Sequence, residues 1–99
     1  MISLYGLIFD KISKQYIAKK FEKVGWKVRK SGFYSYEISS EWAEINIDGE
    51  NEILLNGEID LEYFEKLEKL IISFDFKYSL ELYDNENQLI KTVTNNNII

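Results

Sequence analysis

The chain has 99 residues, 45% hydrophobic and 29% charged, with a formal net charge of −5. It contains no Cys, no His and no Pro. Disulfides, thiolate metal sites, cysteine nucleophiles, imidazole bases and Ser-His-Asp triads are therefore excluded.

A chain of this length buries roughly two-thirds of its unfolded surface, enough for one core without covalent staples. We expect one domain over residues 1–94 and a frayed tail over 95–99. Ile2 to Phe9 is apolar, β-branched and aromatic, and predicts a buried strand. No basic segment precedes it, and Asp10-Lys11 ends it too early for a signal peptide or a membrane span, so a cytoplasmic protein is expected. Asp10 is positioned to cap a helix ending at Gly25. Ile17, Phe21 and Val24 form one apolar stripe on that helix, widened by Ile12 and Tyr16, while Lys11, Lys14, Lys19, Lys20 and Lys23 fill most of the remaining surface.

The next segment alternates. Trp26 and Val28 oppose Lys27 and Arg29, and Ser31-Gly32 makes a turn. Tyr34, Tyr36 and Ile38 then oppose Ser35, Glu37 and Ser39, and Ala43, Ile45 and Ile47 oppose Glu44, Asn46 and Asp48. After Asp48-Gly49, Ile53 to Leu55 begins another strand, which is expected to end at Asn56-Gly57. Period two with short turns predicts an antiparallel meander. Asp60 is placed to cap a second helix running to about Phe74, with Phe64, Leu67, Leu70, Ile71 and Phe74 on one side. Phe76 to Leu82 alternates again, and Leu89 to Thr94 returns as an edge strand. The order β-α-β-β-β-β-α-β-β predicts an α+β fold, a single antiparallel twisted sheet with two helices packed on one face.

No phosphate-binding, zinc-protease or nucleophile-elbow motif is present. The acidic turns at Asp48–Glu52 and Asp84–Asn87 lack the glycine placement of a calcium loop, so no metal and no cofactor are expected. Paired carboxylates are the one catalytic chemistry that the composition permits. The acids lie mainly on predicted solvent faces, so a non-catalytic protein is expected.

Charge is segregated along the chain. Residues 1–33 carry eight Lys or Arg against Asp10 and Glu22, a sum of +6; residues 34–99 carry four Lys against fifteen acids, a sum of −11. Five lysines on the first helix point to phosphate contacts, but the sequence pI of about 4.7 opposes binding to a polyanion. Arg29 alone leaves little for base readout. Nucleic acid is therefore not the expected partner, and the basic helix reads as a solvated face complementary to its own acidic sheet.

An acidic, partly aromatic surface suits a basic protein partner, because charge steers encounter and aromatics hold the complex. The candidate partner-binding residues are Glu41, Trp42, Glu44, Asp48, Glu50 and Glu52, with Trp42 as anchor. Packing Trp42 at one end of the core is the competing expectation. In size and charge the chain resembles small acidic inhibitor proteins, among them immunity proteins that neutralise a toxin and phage-encoded inhibitors of bacterial defence nucleases. That resemblance implies blockade of a basic surface. The abundance of Ile, Asn and Lys with a single Arg is the usage of an AT-rich genome, as in some bacteria and phages. A homodimer paired through the Leu89–Thr94 edge is the alternative expectation.

Overall fold

The computed structural model describes residues 1–95. Seven strands form one antiparallel sheet: β1 (Ile2–Ile8), β2 (Lys27–Lys30), β3 (Tyr36–Ser40), β4 (Ala43–Asp48), β5 (Ile53–Ile59), β6 (Tyr78–Tyr83) and β7 (Leu89–Thr94). Their spatial order is β2-β3-β4-β5-β1-β6-β7, so the first strand sits between the meander and the C-terminal hairpin. Helices α1 (Lys14–Lys23) and α2 (Phe64–Ser73) supply Ile17, Phe21, Leu67 and Ile71 to the same buried cluster as Leu4, Ile38, Ile45, Ile47, Leu55, Leu80 and Leu82. Both helices thus lie on one face of the sheet, and the other face carries no covering layer among the described residues.

The start of α1 departs from the sequence expectation. Ser13, not Asp10, caps it: the Ser13 Oγ accepts the Tyr16 amide at 3.0 Å. The Asp10 carboxylate instead accepts the Lys77 amide at 2.8 Å, a contact from 67 residues away that no local pattern announces. The helix ends as a glycine-capped turn should. Gly25 takes a φ of 98°, its amide binds the Glu22 carbonyl, and the Trp26 amide reaches back to the Phe21 carbonyl. That wrap seats the Trp26 ring edge-on against Phe21 at 4.9 Å.

Strand β5 does not end at Asn56-Gly57 but runs on to Ile59, with both residues paired to β4 and β1; Gly57 serves there as a point of close backbone approach and not as a turn. Asp60 precedes a 3-10 turn (Leu61–Tyr63) and makes no side-chain cap; α2 begins only at Phe64. Helices α1 and α2 meet through Phe21 and Phe74, whose rings are 5.1 Å apart. Asn95, expected to begin the frayed tail, is pinned. Its side chain accepts the Tyr78 amide and donates to the Phe76 carbonyl. The rest of that expected tail, 96–99, lies outside the described residues. No helix among them is long and apolar enough to cross a membrane.

Candidate functional site

Strand register places the side chains of the uncovered face in three rows. The first runs Lys27, Ser39, Glu44, Glu58, Ser3, Tyr83. The second runs Arg29, Glu37, Asn46, Asn56, Tyr5, Glu81, Thr92. The third runs Asp48, Leu54, Leu7, Ser79, Thr94. Cross-strand neighbours on one face touch, so the rows are the physical surface.

The middle of this surface is apolar. Tyr5 is 50% exposed and Leu54 is 40% exposed. With Leu7, Asn56, Ser79 and Glu81 they line a shallow hollow of about 380 Å³. Tyr83 leans edge-on against Tyr5, with ring centres 5.7 Å apart. Partial burial holds the Tyr83 phenol above its usual range, and the Glu81 carboxylate adds to the effect. Around this centre stand Glu44, Asp48, Glu58 and Glu81. The Asn56 amide donates to Asp48 at 3.4 Å. Among the described residues the one ion pair is Arg29–Glu37, at 2.9 Å, so those four carboxylates face solvent without a cationic partner.

The structure divides the sequence-predicted site. Glu44 and Asp48 stand on the uncovered face of β4. Glu41 is exposed in the turn before β4, while Glu50 and Glu52 are exposed in the turn after it, at the opposite end of the strand. The six residues therefore do not form one patch. Trp42 is 9% exposed and belongs to the core cluster. Its ring stacks on Tyr63 at 5.5 Å and meets Trp26 edge-on at 5.1 Å. The Lys66 ammonium lies 5.8 Å from its centre. This aromatic stack closes the end of the core beneath the β3–β4 turn.

The basic helix does not complement the acidic face, because α1 packs on the opposite side of the sheet. Its Lys14 ammonium donates to the Gly49 carbonyl and not to a carboxylate. Two exposed features lay outside the sequence-based site. Tyr5 fell within a run expected to form a buried strand, and the signal that would have found it is the helix count: two helices on one face leave the other bare. Phe33, 89% exposed beside exposed Tyr34, sits in the β2–β3 loop. Among the described residues no group of three or more His, Cys, Asp or Glu side chains is gathered as metal ligands would be.

No family model, no curated protein and no solved structure matches this chain.

Proposed function

We propose that this is a small, non-catalytic, cytoplasmic binding protein that occupies a basic surface of a protein partner. The reading is that of an immunity protein against a toxin, or of a phage-encoded inhibitor of a bacterial defence nuclease. The observation that carries it is the make-up of the uncovered sheet face: an apolar centre of Tyr5, Leu7 and Leu54 inside a rim of Glu44, Asp48, Glu58 and Glu81. Protein interfaces divide their work in the same way, with aromatic and aliphatic side chains at the centre and charge at the edge.

The mechanism is occupancy. Carboxylates without cationic neighbours attract a lysine- and arginine-rich surface from a distance and set the rate of encounter. Tyr5 and Leu54 then exclude water at the centre and slow dissociation. A surface so covered is closed to the phosphate backbone it otherwise holds, both sterically and by charge.

The test uses a partner copurified from the native host. Reversing Glu44, Asp48 and Glu58 to Lys is expected to slow association at least about tenfold at low salt and to flatten its salt dependence. Tyr5→Ala is expected to act mainly on dissociation. A triple reversal that leaves association rate and salt dependence unchanged overturns the reading.

A further inference from the structure

The sheet has two edges, and they are protected differently. The β2 edge is four residues long, and three of them, Lys27, Arg29 and Lys30, are exposed cations. Short length and clustered positive charge are what keep an edge from pairing with another strand. The β7 edge is six residues long and carries one charge, Lys91. The Lys91 ammonium lies 5.3 Å from the centre of the Phe64 ring. It is thus drawn onto the helix-covered face and does not guard the strand. Leu89 and Ile90 are 55% and 44% exposed at the start of β7.

The backbone is oriented to match. The Asn95 amide binds the Tyr78 carbonyl, and hydrogen-bonding direction alternates along an antiparallel strand. Counting back from Asn95 turns Val93 and Lys91 toward β6 and the Thr92 amide and carbonyl outward. The outward side of β7 is therefore a β-branched, nearly neutral template for strand addition.

We infer that β7 is a self-pairing edge whose occupant is β7 of a second copy, joined antiparallel about a two-fold axis normal to the sheet. The inference does not depend on the function proposed for the sheet face. Charge permits a second copy at this edge, because the strand itself carries only Lys91 and two copies bring few like charges together. Of the four acids on the uncovered face, Glu44, Asp48 and Glu58 lie on β4 and β5, separated from β7 by β1 and β6, and Glu81 alone stands on β6, opposite Thr92. The antiparallel arrangement also keeps the two β6–β7 turns, with Asp84 and Glu86, at opposite ends of the joint. The two sheets would run on as one, with both uncovered faces on the same side.

Sedimentation velocity of the full chain over a concentration series tests this. The expected result is one chain at low concentration and two at high. Ile90→Lys with Thr92→Lys, both at exposed positions, is expected to weaken pairing at least about tenfold through like charges across the joint. Far-UV circular dichroism checks that the variant is folded. Tyr5→Ser, on the sheet face, is expected to pair as the parent does. The Thr92 amide is expected to exchange more slowly as concentration rises. A single chain at all concentrations overturns the inference, as does a dimer indifferent to the edge variant or to Thr92 protection. Pairing lost in Tyr5→Ser and kept in the edge variant moves the contact to the sheet face and overturns it too.

Discussion

Glu44 of β4 and Glu58 of β5 stand directly opposite each other on the uncovered face. Both are exposed. The next residue outward from Glu44 in the same row is Ser39, and from Glu58 it is Ser3, so neither flank offers a cation. Like charges in facing positions work against strand pairing. Replacing one of them relieves the repulsion and supplies a cross-strand attraction. Glu58→Lys is expected to raise stability by about 0.2–1 kcal/mol, read as a higher urea midpoint. The same substitution is expected to slow association with a basic partner. A surface charge that costs stability and serves recognition would show both effects.

The β4 strand shows how far the sequence speaks and where it stops. Ala43, Ile45 and Ile47 alternate with Glu44, Asn46 and Asp48, and the structure puts the first set in the core and the second on the bare face. Alternation of period two is a local signal, and it reads correctly. In β1 the chain is apolar on both sides of the pleat, so the pattern says nothing about which side is covered. Tyr5 is bare because the two helices that could shield it are both spent on the other face. Trp42 takes the core position that competed with its reading as a surface anchor; the anchor reading arises because its neighbours in sequence, Ser40, Glu41 and Glu44, are polar. Its neighbours in space are Trp26 and Tyr63, which arrive from β2's approach and from the 3-10 turn. Asp10 fails as a cap for the same reason: its partner, Lys77, is distant in the chain.

Gly57 is required by the approach of two backbones. A Cβ there would stand 2.0 Å from the Glu44 carbonyl oxygen and 2.8 Å from the Ile45 Cα. Backbone cannot rotate away as a side chain can, so β4 and β5 would have to separate. Gly25 is required for another reason, its φ of 98°, and nothing lies within 4 Å of a Cβ placed on it. Gly57→Ala is expected to cost about 3 kcal/mol, at the upper end for overpacking. Gly25→Ala is expected to cost about 1 kcal/mol, the strain of a left-handed alanine. Paired urea titrations check the order, and a larger loss at Gly25 would contradict it.

Tyr78 couples stability to alkaline pH. Its ring is buried in the core, and its hydroxyl donates to Glu68 at 3.3 Å. Burial, with the Glu68 charge adding to it, pushes the phenol up to about 12 from its usual 10.0. Between those values the unfolded chain loses this proton while the folded chain keeps it. The unfolded state then binds fewer protons, so stability falls as pH rises. The contribution is fully present below pH 10 and is lost on the way to about pH 12. Tyr78→Phe is expected to flatten this part of the fall relative to the parent, measured as urea midpoints at a series of alkaline pH values. A parent and variant with parallel midpoints would refute the coupling.

Core and surface aromatics should separate cleanly in stability measurements. Trp42 is wedged between Trp26 and Tyr63, and removing its ring leaves a void at the end of the core that the β3–β4 turn cannot fill without moving. Trp42→Ala is expected to cost about 3–5 kcal/mol. Phe33 is the opposite case, with its only ring neighbour among the described residues the exposed Tyr34, 6.3 Å away. Phe33→Ala is expected to change stability by less than about 0.5 kcal/mol. Acrylamide quenching supplies a second check on Trp42, since Trp26 and Trp42 are both shielded from solvent in the fold. Both indoles are expected to resist quenching in the native state and to become accessible together on unfolding. If Trp42→Ala kept the parent's urea midpoint, the stack at the β3–β4 end would not be part of the cooperative core, and Trp42 would again be available as a contact for a partner.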